Sequence, residues 1–527
     1  MSKELRTMKH RCKNRKDKKA IKEAILDYAQ LNNLLLLLLN STLPQKQDYP
    51  NEEAYFAQYQ LWFNLSNKVI MKAILKSNHG GEKTSEVIAE TLEAFKDNEF
   101  LQSAIEHCKE KKINGHNASM LVERIKKDFS NTFKKIKAGE KANFPRPKKL
   151  RNMYQFSVPF EPSKFSVKEK RHIKLTFFDK FIRVFFPRKW KLNDKDINNV
   201  TVGFYHSDVY INVSYHYNED KQQEKATLLN HGQKKIRKNA KKKCAGLDVG
   251  ICNTFALFID DATTQSLLFS GKKFIQKNCS YNKEIAKCQE AKKQYVINYK
   301  EIKQSDNNTV LIPSEYNQCN QYQYIKNKIA RMFANRERFF EGEFEKLSSQ
   351  VVKYLRTHKV THLAISKNLQ FLKNAENNHS NLRKKDKQKF YQIPFGKLLN
   401  LIESKCSQVG IMVEDIDEAY TSKTSVLSQD INDVLKNTSM DKKGYRGVKH
   451  NKNKLSTKDR GLFKDKELNI IYNSDVGAAG NHVKVAFNQS LDYLKRCLHK
   501  LCNPILIKST DEFDSLLQGL RIVAVAG

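Results

Sequence analysis

The stretch that most constrains the fold is CAGLDVGICNTFALFID at residues 244–260, an apolar run with one acidic residue, Asp248, inside it. It continues into SLLFSGKKFI, and the two apolar segments predict two buried strands joined as a hairpin. A charge inside such a strand is costly unless it binds a cation or caps another group. Gly246 and Gly250 allow a ligand or another backbone to approach closely. The alternative is a simple turn aspartate, and this motif alone does not decide between them.

Helix and strand patterns alternate after this hairpin. The predicted elements are a charged helical region over 283–357 with a polar loop near 304–320, a short buried strand at 361–366, an amphipathic helix over 395–409, a strand from 410 that runs into a loop, and a small-residue helix over 475–490. This order predicts an α/β domain with a mixed sheet.

The residues before it have a different character. Apolar residues recur every three or four positions from Ile21 to Leu31 and over 52–76, 85–97 and 117–137, which predicts helices, whereas 140–222 alternate in short β-type runs. The predicted domains are a basic N-terminus with the start of the β domain (1–16), a helical lobe (17–138), a small antiparallel β-barrel or sheet (139–225), a basic linker (226–243), the α/β domain (244–490) with a basic loop (428–468), and a C-terminal tail (491–527).

The charge of the chain predicts a polyanionic partner. Its 527 residues include 95 Lys and Arg against 57 Asp and Glu, a net charge of +38. The 21 Tyr and 30 Phe residues exclude a disordered tail protein and allow a sizeable core, so nucleic acid is the expected partner. The longest apolar run, the six leucines at 34–39, is far short of the roughly 20 residues that a membrane span needs. With ten scattered Cys and no CxxC pair, we expect a reduced, intracellular protein without a membrane partner.

Two further acids follow structured segments. Glu418 stands at the exit of the predicted strand 411–416, and Asp475 opens the small-residue helix of NSDVGAAGN, where a helix N-cap is the alternative role. Spacing does not separate Glu418 from its acidic neighbours Glu414, Asp415 and Asp417. The order Asp248, Glu418, Asp475 on a hairpin, a strand end and a helix start is typical of an RNase H-type nuclease. Carboxylates in such a site hold two Mg²⁺ ions for phosphodiester hydrolysis.

Four segments carry a family resemblance. They are GLDVG, FPRPKKLRNMYQFSVP, FYQIPFGKLLNLIESKCSQVGIMVEDIDEAYTSKTS and RGLFKDKELNIIYNSDVGAAGN. In these the sequence resembles the transposon-encoded RuvC nucleases called TnpB and their eukaryotic relatives, the Fanzor proteins, from about residue 15 to 490. The last two matches are long and specific, whereas GLDVG alone is not.

The resemblance implies a fold and an activity. The fold is an RNase H-like RuvC nuclease domain with a helical recognition lobe and a small β-barrel wedge domain. The activity is that of an RNA-guided DNA endonuclease, which binds a guide RNA encoded near its own gene and cuts double-stranded target DNA next to a short motif, with two Mg²⁺ ions. A monomeric ribonucleoprotein is expected, in the nucleus if the host is eukaryotic and otherwise in the cytoplasm. The alternatives are an inactive RNA-guided repressor and, less favoured, a transposase.

Three departures from the family pattern bear on the site. Many relatives carry the second acid in the strand that is THLAIS here, where Ser366 and its neighbours offer none, so the resemblance assigns the role to Glu418. The four-cysteine zinc finger of many relatives is absent between 421 and 475, and no zinc is expected. Gly477 stands where Asn is usual.

Basic residues on a predicted helix are candidates for nucleic-acid contacts. The segment YQYIKNKIARMFANRERFF at 322–340 interleaves cations and aromatics at helical spacing. Its cations are Lys326, Lys328, Arg331, Arg336 and Arg338. Weaker candidates are Lys148, Lys149, Arg151, Arg446, Lys449 and Arg460. The alternative role for 322–340 is the solvated face of an amphipathic helix packed on the sheet.

Overall fold

The chain divides into two compact units, Met1–Lys225 and Ala226–Gly527. The structure is a computed structural model. It describes residues 4–12, 15–76, 98–113, 115–140, 142–148, 150, 155–160, 165–168, 172–175, 181–183, 197–205, 208–217, 242–303, 309–366, 392–417, 421–422, 424–428, 444–446 and 461–526. In this part of the chain, no helix combines the length and the apolar character that crossing a membrane requires.

The first unit combines helices with antiparallel strands. Its helices are α1 (Arg15–Ser41), α2 (Glu52–Lys76), α3 (Glu99–Glu110) and α4 (Gly115–Lys137). Its strands are β1 (Glu4–Arg11), β2 (Gln155–Phe160), β3 (Phe165–Lys168), β4 (His172–Leu175), β5 (Phe181–Arg183), β6 (Ile197–Tyr205) and β7 (Asp208–Tyr217). A 3₁₀ turn, Lys46–Asp48, lies between α1 and α2. The predicted helix at 85–97 lies outside the described residues.

One core joins the helices to the larger sheet of this unit. The predicted apolar face of α1 is buried at Ile21, Ile25 and Leu31, and these side chains share a hydrophobic cluster with residues of β2, β6 and β7. The buried carboxylate of Asp208, at the start of β7, pairs with Arg11 of β1 at 3.1 Å and with a lysine of α1 at 2.5 Å. The helical and β segments therefore pack together within one unit.

The strands of the first unit form two separate antiparallel sheets. Their orders are β1-β7-β6-β2 and β3-β4-β5. The prediction of antiparallel strands over 139–225 is correct, and β1 supplies the edge strand that was expected from the N-terminus. Among the described strands β1 and β2 remain at opposite edges, so these strands do not close the predicted barrel.

The second unit contains a six-stranded mixed sheet. Its strands are β8 (Cys244–Asp248), β9 (Asn253–Ile259), β10 (Leu267–Ser270), β11 (Val296–Lys303), β12 (Thr309–Tyr316), β13 (His362–Ile365), β14 (Met412–Asp415), β15 (Gly444–Arg446), β16 (Leu462–Asp465), β17 (Ile470–Asn473) and β18 (Ile505–Ile507). Its helices are α5 (Lys272–Lys293), α6 (Asn320–Thr357), α7 (Phe395–Val409), α8 (Ser474–Phe487), α9 (His499–Cys502) and α10 (Thr510–Ala526), with a 3₁₀ turn at Asp492–Lys495.

The order of the main sheet is β14-β13-β8-β9-β10-β18. Strands β8, β9 and β10 are antiparallel neighbours, whereas β13 and β14 run parallel to β8, and β18 runs parallel to β10. The predicted α/β architecture with a mixed sheet is correct. The carboxyl ends of β8, β13 and β14 lie at one edge of this sheet because all three strands run in the same direction.

Helices cover both faces of this sheet. Alternate residues of β8 point to opposite sides, so Ala245 and Leu247 join a core formed with α6 and α7. Cys244 belongs to the core of the other face, which contains Ala479 and Val483 of α8. Helix α8 therefore lies on the face to which the even-numbered residues of β8 point.

Two predictions for the α/β domain are wrong in detail. The run at 244–260 holds two strands rather than one, because the chain turns between Asp248 and Asn253, and β10 makes a third. The region predicted as helix around a polar loop contains the hairpin β11–β12. Its strands VINYKEIK and TVLIPSEY are rich in the β-branched and aromatic residues that favour strands, and this signal outweighs their charges.

Two further segments are more ordered than predicted. The expected C-terminal tail, 491–527, contributes β18 to the main sheet and α10, whose Phe513 and Leu517 are buried in the core with α6. The basic loop 428–468 contains β15 and β16, which pair with each other, and β16 also pairs with β17. Its other residues from 429 to 443 and from 447 to 460 lie outside the described part of the chain.

We expect Gly246→Ala to destabilise the second unit. A Cβ at this position would overlap the carbonyl oxygen of Ala479, which is backbone and cannot rotate away. Overpacking of this kind lowers the free energy of unfolding by about 1–3 kcal/mol, measured by chemical denaturation. Gly342→Ala is the control, because nothing lies within 4 Å of its Cβ position on α6 and alanine is the better helix former. A Gly246→Ala variant as stable as the original chain would contradict the close packing of α8 on β8.

Candidate active site

Asp248 is the last residue of β8 and points to the face covered by α8. It shares this face with Gly246, because side chains alternate along the strand. Its side chain is 17% exposed, so the carboxylate lies at the rim of the buried region and is open to ions. The turn that follows leads directly to Asn253 at the start of β9.

Asp475 lies in the first turn of α8, at the same edge of the sheet. The side-chain amide of Asn253 donates a hydrogen bond of 2.8 Å to Asp475 Oδ2. The N-cap of α8 is Asn473, whose side-chain oxygen accepts hydrogen bonds from the backbone N–H groups of Asp475 and Val476. The N-cap role considered for Asp475 is therefore filled by Asn473, and the carboxylate of Asp475 faces the β8–β9 turn.

The neighbouring parallel strands end at the same level. Ile365 of β13 pairs with Leu247 on one side and with Asp415 on the other. Ser366 therefore lies beside Asp248 at the edge, where many relatives carry an acid. The backbone N–H of Ile416 donates to the carbonyl of Ile365 at 2.9 Å, so the pairing continues one residue beyond β14.

Glu418 lies outside the described residues, as do 419 and 420. Asp417, its neighbour, is exposed at the carboxyl end of β14. Among the described residues, no three His, Cys, Asp or Glu side chains come together as a metal site. The structure thus brings Asp248 and Asp475 to one edge and does not test the third acid.

Thr421 and residues 424–428, which belong to the 421–428 segment, are buried and held by α8. The side-chain amide of Asn481 donates to the carbonyl oxygens of Thr421 at 2.8 Å and Thr424 at 2.9 Å. The ammonium group of Lys484, only 2% exposed, donates to the carbonyl of Val426 at 2.8 Å and to that of Ser428. The TSKTS part of the family motif therefore docks onto the helix that carries Asp475.

Gly477 has a packing reason for its departure from the family pattern. A Cβ there would lie 2.7 Å from Cε2 of Tyr472, which is 1% exposed. The hydroxyl of Tyr472 accepts a hydrogen bond of 3.1 Å from the backbone of Val426. The tyrosine takes the space that a side chain at 477 would need, and it helps to hold the 421–428 segment.

A histidine that the sequence analysis did not single out lies against Asp248. His482 of α8 is 1% exposed, and its Nδ1 is 3.1 Å from the carbonyl oxygen of Leu247. Its Nε2 is 3.9 Å from Asp248 Oδ1. Burial lowers the pKa of His482 to about 4, although the hydrogen bond to Leu247 opposes this shift, so the ring is neutral at pH 7.

The side chains at this edge fit a divalent cation. Two carboxylates, Asp248 and Asp475, supply the hard oxygen donors that Mg²⁺ prefers. Within the described part of the chain, the buried Nε2 of His482 has no hydrogen-bond partner, and it faces one of these carboxylates. Carboxylate oxygens and an imidazole nitrogen are donor types that bind divalent cations.

The predicted basic helix is confirmed as the first half of α6. Tyr324, Lys328 and Arg331 are exposed at positions four and three apart, so they form one outward stripe, and the Tyr324 side chain is 60% exposed. Arg336 packs instead, with its guanidinium 5.4 Å from the ring of Phe333 and 3.4 Å from Asn282 of α5. Lys326 and Arg338 are half-buried.

The other basic candidates are mostly outside the described residues. Lys148 is exposed in the stretch after α4, where its backbone N–H and carbonyl both bond the side chain of Asn33, at 3.1 and 2.6 Å. Arg446 lies on β15, and only its backbone is described. The candidates outside the described part are Lys149, Arg151, Lys449 and Arg460.

Three functional candidates were missed by sequence reasoning. Asn253 and His482 are joined to the acids only by the fold, because they are distant in sequence from the residue that each contacts. Asn481 closes the motif NSDVGAAGN, and a polar residue at the end of this run of small residues is the signal that could have indicated it.

We expect Asn481→Ala to loosen the 421–428 segment. The variant loses two buried hydrogen bonds to backbone carbonyls, which costs about 1–3 kcal/mol in the free energy of unfolding. The backbone amides of Thr424–Ser428 should exchange their hydrogens faster, by about tenfold for each 1.4 kcal/mol by which local opening becomes easier. Asn335→Ala, exposed on α6, is the control and should change stability by less than about 0.5 kcal/mol. Unchanged exchange in Asn481→Ala would contradict this assignment.

Comparison with known proteins identifies one family segment. The family OrfB_IS605, described as a probable transposase, matches residues 214–372, which is less than a third of the chain. This range includes β8, β9 and β13, and so Asp248 and Ser366. No curated protein matches the chain significantly.

Solved structures match over most of the chain with low similarity. A Cas12f1–sgRNA–target DNA complex is 15% identical, with 91% of this chain and 98% of that chain covered and a TM-score of 0.27. A CRISPR-Cas12f ternary complex is 15% identical, with 90% and 98% covered and a TM-score of 0.31. The mini-RNA-guided endonuclease CRISPR-Cas_phi3 is 11% identical, with 92% of each chain covered and a TM-score of 0.29. These TM-scores are low.

The family match agrees with the resemblance seen in the sequence motifs, and over residues 214–372 the chain is similar to the OrfB_IS605 family.

Proposed function

We propose that this protein is an RNA-guided DNA endonuclease in which Asp248, Glu418 and Asp475 bind two Mg²⁺ ions. The observation that carries the proposal is the hydrogen bond between Asn253 and Asp475, because it brings the start of α8 to the end of β8. Two acids more than 200 residues apart in sequence thereby reach one edge of the sheet.

The topology of the second unit supports a nuclease. Numbered along the chain, the first five strands of the main sheet stand in the order 5-4-1-2-3. The first three are antiparallel, and the fourth and fifth are parallel to the first. This is the arrangement of RNase H-like domains, the RuvC class among them, in which acids at the end of the first strand and beside it form the active site.

Strand alternation favours Glu418 as the third acid. Asp248 at the end of β8 and Ile416 just after β14 lie at the same register level of the sheet. Ser366, just after β13, lies between them at that level. Even-numbered positions of this segment share the face of Asp248, which favours Glu418 over Asp417. The nearest described residues on either side are Ile416, bonded to β13, and Thr421, bonded to Asn481.

The residues of the chain have distinct roles in this proposal. When bound, the two cations would supply an activated water and stabilise the leaving 3′ oxygen, so that cleavage leaves a 5′-phosphate. The acids hold the cations, Asn253 orients the carboxylate of Asp475, and α8 fixes the distance between the helix start and β8. Single-stranded DNA, displaced by the guide, is the immediate substrate.

The charge of the protein supports an RNA and DNA partner. The net charge of +38 matches a guide RNA and a DNA strand, whose phosphates would be gripped while base pairing reads the sequence. The exposed stripe of Tyr324, Lys328 and Arg331 offers a stacking ring beside two cations, which suits a nucleic-acid backbone with accessible bases. We propose a monomeric ribonucleoprotein, nuclear if the host is eukaryotic.

Transposase chemistry is the second candidate, because the matched family is described as a probable transposase. The same acids would serve it, since strand joining and strand cutting both need metal-bound phosphate. The two functions differ in product, because a transposase joins DNA ends and an endonuclease leaves them free.

We expect Asp248→Asn, Asp475→Asn and Glu418→Gln each to reduce DNA cleavage by at least about 100-fold, because each removes a cation ligand worth several kcal/mol in the transition state. The measurement is plasmid cleavage with Mg²⁺, using a target that matches the RNA that co-purifies with the chain. RNA binding should be unchanged in all three variants.

Asp417→Asn is the matched control and should cleave at a normal rate. If Asp417→Asn is inactive while Glu418→Gln cuts normally, the third acid is Asp417 and the assignment to Glu418 is wrong. A wild-type chain that binds target DNA without cutting would favour a guided repressor, and joined ends would favour a transposase.

We expect the double variant Lys328→Ala, Arg331→Ala to weaken the salt dependence of RNA binding. Each lost phosphate contact should reduce the slope of log K against log[salt] by about 0.7–0.9. Lys287→Ala, Lys293→Ala is the control with the same loss of charge, because these lysines pair with Glu284 and Glu290. Equal slopes in the two double variants would exclude a direct role for the α6 stripe.

A further inference from the structure

His482 faces Asp248 from the most buried part of α8. The imidazole is 1% exposed, yet its Nε2 lies 3.9 Å from the Asp248 carboxylate, which is itself 17% exposed. The ring is therefore shielded from solvent, and its Nε2 faces the candidate site at the carboxylate of Asp248.

The hydrogen bonds of the ring decide which nitrogen carries the proton. Nδ1 is 3.1 Å from the carbonyl oxygen of Leu247, which can only accept, so Nδ1 carries the hydrogen and donates it. In the neutral ring Nε2 then has a lone pair and no hydrogen. Within the described residues this atom has no hydrogen-bond partner.

Two electron-pair donors face each other across this gap. A buried polar atom without a partner destabilises the fold, and a lone pair opposite a carboxylate adds repulsion to that cost. A cation between them removes both penalties at once. The arrangement also matches the usual environment of a metal-ligating histidine, in which one ring nitrogen binds the metal and the other donates its hydrogen to a backbone carbonyl.

We propose that His482 Nε2 is a nitrogen ligand of the cation held by Asp248. The inference rests on the proposed function, because it requires that Asp248 binds a divalent cation. An imidazole nitrogen adds more affinity for a transition-metal ion than for Mg²⁺, which prefers oxygen. The site therefore binds Mn²⁺ more tightly than its carboxylates alone would.

The test uses Mn²⁺ as the probe on the full-length chain freed of nucleic acid. Pulsed electron paramagnetic resonance detects ¹⁴N bonded to Mn²⁺, so the wild type should show a nitrogen coupling that changes to the ¹⁵N pattern when only histidine is ¹⁵N-labelled. His482→Asn is the separating variant, because the Asn amide can replace Nδ1 as donor to Leu247 but offers nothing in place of Nε2. It should lose the coupling and bind Mn²⁺ about tenfold more weakly, with Mg²⁺ affinity changed by less than about threefold.

The outcomes separate this inference from the proposed function. If Asp248→Asn binds Mn²⁺ as the wild type does, no cation is held by Asp248 and the proposed function fails with the inference. If Asp248→Asn loses a Mn²⁺ ion but the wild-type ion shows no histidine nitrogen, only the inference is overturned. The ¹⁵N experiment on the wild type decides the question even if His482→Asn does not fold.

Discussion

The close approach of helix α8 to strand β8 is the constraint on which the candidate site depends. It is possible because Gly246 has no side chain where the backbone of Ala479 passes. The same packing places Asp475 next to the β8–β9 turn, His482 against Asp248, and Asn481 and Lys484 against the 421–428 segment. One helix therefore carries Asp475 and contacts both Asp248 and the 421–428 segment, and its small residues are needed for that packing.

The sequence predicts the elements that have a strong periodic signal. The helices over 52–76 and 395–409 have the predicted bounds. Their apolar residues recur at helical spacing, and these residues form the buried face of each helix. The hairpin β11–β12 was missed because its charged residues hide a β-type pattern. Strand β18 has only three residues, Ile505–Ile507, and exists because β10 offers a parallel edge, which no local pattern can indicate.

The site was only partly predictable for the same reason. Asp248 and Asp475 stand out locally, the first as a charge in an apolar strand and the second as an acid at a helix start. Asn253 and His482 are ordinary in the sequence and gain a role only when the sheet and α8 come together. Gly477 is explained by Tyr472, whose side chain packs against the helix where a Cβ at residue 477 would lie, so a glycine in place of the usual asparagine has a packing reason.

The central claim is that three acids from separate segments share divalent cations. Anomalous diffraction from crystals soaked with Mn²⁺ tests it most directly. The account predicts Mn²⁺ peaks at the carboxyl edge of β8, each about 2.1–2.3 Å from carboxylate oxygens, with Asp248, Glu418 and Asp475 among the ligands. Peaks elsewhere, or acid side chains too far apart to share an ion, would contradict it.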